Sequence, residues 1–168
     1  MYYFKYDSPL GEMVGTSDGK SLCGLYFVDQ KFFSMDIIKD HIEKNDLSVF
    51  LKTKEFLDQY FYGKVVKIID IPISISGTEF QKRVWKIIYN IPYGDTISYS
   101  DISDKIYNLT QKKTSPRAVG GAVGHNPISI IIPCHRVMGK SGELTGYAGG
   151  IDRKKCLLDI ESKHSTRG

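Results

Sequence analysis

The chain has 168 residues, 41% of them hydrophobic, with 23 Lys/Arg against 19 Asp/Glu for a formal net charge of +4. No apolar run approaches the roughly 20 residues of a membrane-spanning helix, and Met1-Tyr2-Tyr3-Phe4-Lys5 lacks the form of a signal peptide. The three cysteines, Cys23, Cys134 and Cys156, are odd in number and show no CxxC spacing, which argues against a disulfide framework or zinc site and for a reducing compartment. The length suits one compact unit or two small domains. Residues 1–77 carry 9 Lys/Arg and 11 Asp/Glu, net −2, whereas residues 78–168 carry 14 and 8, net +6, as expected if the second half faces phosphate.

The first stretch reads as a β meander. Tyr2 to Tyr6 meets a turn at Asp7-Ser8-Pro9-Leu10-Gly11, Glu12 to Thr16 follows, and a second turn at Asp18-Gly19-Lys20 leads into Leu22 to Phe27. Cys23 is expected as a small core residue. A helix near Ser34 to Glu43 is possible. A further helix, capped by Asp46 or Ser48, is expected through Tyr62, with Phe50, Leu51, Leu57, Tyr60 and Phe61 on its apolar face and Gly63 as its stop. Val65 to Ile75 reads as a strand and then a linker. Nothing in this half carries evident chemistry.

The second unit starts at Thr78-Glu79-Phe80-Gln81, a capping box, followed by Phe80, Val84, Ile87 and Ile88 at helical spacing, with Trp85 expected in the core. After a turn at Ile91 to Asp95, Ser98 caps another helix with Asp101 three residues on. Ser115-Pro116 opens a third and Asn126-Pro127 stops it. That last helix is made of small residues, Arg117 being its one strong charge, so its backbone can approach another surface closely. The pair reads as a helix-turn-helix or as an ordinary helical hairpin. Ile128 to Ile132 reads as a short buried strand ended by Pro133. Cys134-His135-Arg136 follows, a thiol beside two cationic neighbours, where a lowered thiol pKa is expected; a buried cysteine beside surface residues is the plain alternative. Gly146-Tyr147-Ala148-Gly149-Gly150 is a mobile loop with one aromatic, Glu161 follows a short helix, and Ser162 to Gly168 reads as a frayed tail.

From Thr78 to Glu161 these residues resemble the O6-alkylguanine-DNA alkyltransferases, also called methylated-DNA–protein-cysteine methyltransferases. The signature Pro-Cys-His-Arg-Val stands as Pro133 to Val137, preceded by Ile131-Ile132, and the Arg-Ala-Val-Gly-Gly-Ala helix as Arg117 to Ala122. Over residues 1–77 the resemblance is weak. It implies an α/β (α+β) fold: a small sheet-plus-helix domain, residues 1–77, then a mainly helical domain, residues 78–168, with a helix-turn-helix (winged-helix-like) DNA-binding unit. It also implies direct-reversal repair, in which an alkyl group passes irreversibly from O6 of guanine, and from O4 of thymine, to Cys134 in one turnover. Duplex DNA is the implied partner, through its minor groove, and the protein is expected to be a cytoplasmic monomer without cofactor or structural metal.

The same resemblance assigns roles. Cys134 is the nucleophile, His135 takes its proton through a water, Glu161 steadies His135, Tyr99 assists departure of the base, and Asn126 braces the turn of the cysteine. An extended segment would point Cys134 and His135 to opposite sides, which fits a bridging water. Arg117 fills the space left by a flipped base, Ala118, Gly120, Gly121 and Ala122 let the helix approach DNA, and Tyr147 closes over the base. Where many members have serine after that tyrosine, this chain has Ala148. The competing readings are a lesion-binding module without transfer activity, a cysteine hydrolase and a transcription regulator.

Overall fold

The computed structural model describes residues 1–65 and 70–164. Strand β1 (Tyr2–Ser8) pairs antiparallel with β2 (Gly11–Ser17) in a register from Tyr2↔Ser17 to Ser8↔Gly11, and β2 pairs antiparallel with β3 (Leu22–Phe27). Short side chains fix both turns. Ser8 Oγ accepts from Leu10 N at 3.1 Å, and Asp18 Oδ1 accepts from Lys20 N and Ser21 N at 2.9 and 2.8 Å. Gly19 sits at φ +105°, a conformation that glycine adopts without steric cost.

The helix anticipated near Ser34 to Glu43 is instead one 3-10 turn, Met35–Ile38, capped by Ser34, and a two-residue strand β4 (Ile42–Glu43). Met35, Ile37 and Ile42 are exposed, so the segment has no apolar stripe to hold a longer helix. Strand β4 adds parallel to β1, giving the order β3-β2-β1-β4.

Helix α1 (Ser48–Phe61) buries Val49, Phe50, Thr53, Phe56, Leu57 and Tyr60, a helical stripe packed over β1 with Phe4 and Phe50 4.5 Å apart. Leu51, expected on that face, is exposed because it lies one residue off the stripe. Neither Asp46 nor Ser48 caps the helix; Leu47 holds the cap position without a side-chain bond, so burial of the stripe carries the helix start. Cys23 is half-buried, not a core residue, its thiol 3.6 Å from Ser21 O.

The outer edge of β3 is closed by two other segments. Leu22 N donates to Pro72 O and Ser74 N to Leu22 O, at 2.7 and 2.9 Å; Leu25 N donates to Pro127 O and Ser129 N to Leu25 O, each at 2.9 Å. Of the strand anticipated over Val65 to Ile75, residues 66–69 lie outside the described residues, and Ile73 makes a single bridge to Leu22.

Beyond it come α2 (Glu79–Tyr89), β5 (Ile97–Ser98), α3 (Tyr99–Thr110), α4 (Pro116–Gly124), β6 (Val137–Met138) and α5 (Ile151–His164). Both anticipated capping boxes form: Thr78 with Gln81 opens α2, and Ser98 with Asp101 opens α3. Ser115 caps α4 with Pro116 in its first turn. Trp85 is buried and its Nε1 donates to Ala122 O at 2.8 Å, tying α2 to α4. Ser162 to His164, anticipated as frayed, are the last turn of the 14-residue α5, and residues 165–168 lie outside the described ones. One apolar core runs from Phe4 to Leu157 without a break between the halves.

Candidate active site

The strand anticipated at Ile128–Ile132 is a tightly wound turn. Its residues are buried as expected, but only Ile128 makes a β-bridge, and the backbone then coils: Ile131 N donates to Ser129 O at 2.8 Å and Ile132 N to Ile128 O at 3.0 Å. Ile130 is held at φ +70°, strained for a β-branched residue. Asn126 makes this possible by standing in for a neighbouring strand. Its Oδ1 accepts from Ile128 N at 2.9 Å, and its Nδ2 donates to Ile128 O and Ile132 O at 3.2 and 2.7 Å. Pro133, at φ −82° and ψ 67°, adds an inverse γ-turn in which Cys134 N donates to Ile132 O at 2.8 Å. The turn delivers Cys134–Arg136 as one 3-10 turn, so Cys134 and His135 diverge on a coiled backbone and not on an extended one.

Cys134 lies in the floor of a cleft of about 540 Å³, within the range of small-molecule sites. Tyr99, Arg117, Gly120, Asn126, Tyr147 and Ala148 line the same cleft. Ala118 and Gly121 are exposed on α4 outside it, whereas Ala122 is buried and has its carbonyl on Trp85, so its side chain is not on the exposed face. His135 and Glu161 sit behind the floor, 0% and 1% exposed. The loop anticipated as mobile is tied down: Ala148 O accepts from Lys31 N at 3.0 Å, and Lys154 Nζ donates to Val137 O and Thr145 O, each at 2.6 Å.

The electrostatics differ from the expectation. Arg136 does not flank the thiol; its Nε donates to Glu161 Oε1 and one terminal nitrogen to Ile91 O, both at 2.7 Å. His135 Nε2 bonds Glu161 Oε2, yet burial pulls the pKa of the ring down, leaving imidazole in place of imidazolium. Burial accordingly pushes the Cys134 thiol up to about 12, with Asn126 and Lys154 pulling the other way. Glu161 is held down at about 2, against its burial, by His135 and Arg136. The resting pair is therefore neutral thiol and neutral imidazole, and His135 Nδ1 is buried with no hydrogen-bond partner among the described residues. Such a pair makes a nucleophile by transferring a proton as the reaction proceeds.

Several residues here gave no signal in the sequence. Lys31 and Phe32 of the first half line the cleft, with Phe32 stacked on His125 at 4.0 Å between ring centroids. Lys154 is a buried cation within the charged stretch Asp152 to Lys155. Tyr60 of α1 donates to Glu161 Oε2 at 2.7 Å, so the half that looked devoid of chemistry reaches the site.

Residues 79–163 match the family profile described as 6-O-methylguanine DNA methyltransferase, DNA binding domain, and residues 1–75 that described as 6-O-methylguanine DNA methyltransferase, ribonuclease-like domain. The methylated-DNA–protein-cysteine methyltransferase of Mycobacterium tuberculosis H37Rv is 41% identical, over 98% of this chain and 94% of that protein. That of Haemophilus influenzae is 40% identical, over 96% and 86%. A crystal structure of M. tuberculosis OGT in complex with DNA superposes with a TM-score of 0.85 at 40% identity, covering 99% of this chain and 96% of that one. An O6-methylguanine DNA methyltransferase from Methanococcus jannaschii gives 0.65 at 27% identity, covering 94% and 92%.

Proposed function

Because the chain belongs to the 6-O-methylguanine DNA methyltransferase family, we propose that Cys134 is the residue that accepts the alkyl group. The activity is that of a methylated-DNA–protein-cysteine methyltransferase, direct reversal of alkylation damage in DNA by transfer to a cysteine of the protein itself. The substrates are O6-alkylguanine and O4-alkylthymine. The proton of the Cys134 thiol passes to His135 Nδ1, through a water as the family resemblance implies. Sulfur forms a bond to the alkyl carbon as the carbon–oxygen bond breaks, and the electron pair leaves with the base, whose departure Tyr99 assists by hydrogen-bonding. The product is a thioether on Cys134, which no group in the site can hydrolyse, so each molecule acts once.

The target oxygen lies inside the duplex, so the base rotates out into the cleft. Arg117, exposed at the start of α4 beside the cleft, enters the vacated space, and Tyr147 covers the flipped base. Gly120 and Gly121 support a close approach through the minor groove. A Cβ at Gly121 would meet nothing within 4 Å and one at Gly120 only ordinary contact with Tyr99, so internal packing demands neither glycine. Each nevertheless costs the helix about 1 kcal/mol relative to alanine, and the room they leave faces outward. Residues 78–168 form the transfer unit and residues 1–77 its support. The protein works as a cytoplasmic monomer.

One observation carries this reading: Cys134 lies between the open cleft of Tyr99, Arg117 and Tyr147 and the buried His135–Glu161 pair. Intact-mass measurement after incubation with a methylated duplex tests it. A gain of one methyl group, located on Cys134 and absent in Cys134→Ser, is expected. Binding without mass gain would mean a lesion-binding module, and sustained turnover a hydrolase.

A further inference from the structure

We propose that Tyr60 is a positioning residue of the transfer reaction: its hydroxyl fixes the Glu161 carboxylate and, through it, the tautomer and basicity of His135. This deepens the reading of Cys134, His135 and Glu161 given above and rests on it.

Tyr60 lies near the end of α1, 1% exposed, with its ring edge-on to Tyr93 and to His135 at 6.2 and 6.5 Å between centroids. Its hydroxyl lies 2.7 Å from Glu161 Oε2 and 3.4 Å from His135 Nε2. Glu161 is ionised and only accepts. Its Oε1 takes Arg136 Nε at 2.7 Å and Gly94 N at 3.3 Å, and its Oε2 takes Tyr60 and His135. These donors match the roughly four lone-pair positions of a carboxylate, so the group is held in plane and in rotation. Nε2 must then be the nitrogen that bears the ring proton. The lone pair of neutral His135 is thereby placed on Nδ1, the buried atom without a protein partner among the described residues.

Sharing Oε2 has a second effect. A carboxylate oxygen that accepts from a hydroxyl offers less charge to the imidazole beside it, so Tyr60 lowers the affinity of the ring for an extra proton. The ring stays a neutral base instead of becoming imidazolium, the form that cannot accept from Cys134. Burial acts in the same direction. The other titratable or charged groups beside His135 among the described residues are Cys134 and Arg136 on its own turn, Tyr147 from the loop, and Lys154 and Glu161 from α5. Among the described residues, Tyr60 is the one contributed by the sheet-and-helix half. On this assignment that half is a working part of the proton relay as well as a support.

The test is Tyr60→Phe in the full chain, which keeps the ring and removes only the hydroxyl. Single-turnover methyl transfer from a methylated duplex is followed across pH, alongside 15N chemical shifts of the His135 ring. The acid limb of the rate profile reports the pKa of the base. It is expected to move up by about 0.5–1 unit, and the plateau rate to fall by about threefold to tenfold, with DNA affinity unchanged because Tyr60 is buried and its hydroxyl bonds Glu161 and His135, neither of them on α4. Site-specific 3-fluorotyrosine at position 60, a stronger donor of nearly the same shape, should move the limb the other way and guards against poor folding of the phenylalanine variant. A lowered melting temperature with an unchanged profile and unchanged ring shifts would make Tyr60 a packing residue and overturn the proposal. Failure of the wild-type protein to alkylate Cys134 would instead overturn the reading of the site.

Discussion

Asn126→Ala is expected to damage both stability and transfer, and its cost follows from the turn it braces. The side chain satisfies one buried N–H and two buried carbonyls. Leaving a buried backbone group unpaired costs about 1–3 kcal/mol. Only Ile128 N would be left unpaired; Ile128 O and Ile132 O keep the N–H groups of Ile132 and Cys134 and lose one bond each, about 0.5–1.5 kcal/mol apiece. Water entering the space left by the amide and relaxation of Ile130 from φ +70°, itself worth about 1–3 kcal/mol, offset part of the total. We expect a net loss of about 2–4 kcal/mol in urea unfolding, a large share of the roughly 5–15 kcal/mol typical of a whole domain. The relaxed turn no longer holds Cys134 through Ile132, so the folded fraction should also transfer slowly, by about 100-fold or more. Asn126→Asp separates the roles. It keeps the acceptor for Ile128 N but turns a carboxylate towards two carbonyl oxygens, which raises its folded pKa above about 3.9. Its stability should therefore fall as pH rises from about 4 through the raised value, whereas that of Asn126→Ala should not. A loss below about 1 kcal/mol for Asn126→Ala, with a wild-type transfer rate, would refute the bracing role.

Glu161 is held at about 2, below its ordinary value, so it contributes stability that is present above about pH 4.3 and is lost as pH falls through about 2. Glu161→Gln should remove roughly 3 kcal/mol at neutral pH and flatten the acid side of the stability curve; an unchanged acid transition in circular dichroism would count against the buried ion pair. Arg117→Ala should slow repair of methylated duplex more than reaction with the free methylated base, because only the duplex leaves a space to fill, and equal losses would remove that role. Ala148→Ser should accelerate transfer by a few-fold to about tenfold, since a hydroxyl beside the backbone N–H adds part of the stabilisation of an oxyanion donor; an unchanged single-turnover rate would mean that O6 is already satisfied by another group.

The sequence by itself determined the elements whose causes are local. Thr78 with Gln81, Ser98 with Asp101, and Ser115 with Pro116 fix helix starts through bonds three residues apart or less, and the meander turns at Ser8 and Asp18 close through the same short reach. Pro133 to Val137 and Arg117 to Ala122 carried the family resemblance because the chemistry needs those residue types in that order. Only the tertiary structure decided what depends on which segments meet. The largely apolar run Ile128 to Ile132 before Pro133 looks like a strand, yet it coils because Asn126 supplies bonds that a strand would take from a neighbour. Cys134 looks activated by adjacent cations, yet Arg136 faces Glu161 and burial raises the thiol, a desolvation effect set by surroundings and not by neighbours in the chain. Tyr60 reads as one more apolar residue of α1, and its bond to Glu161 joins positions 101 residues apart. Periodicity places such a side chain on a buried face; only the packing of α1 against α5 and the cysteine turn decides that its hydroxyl ends on a carboxylate.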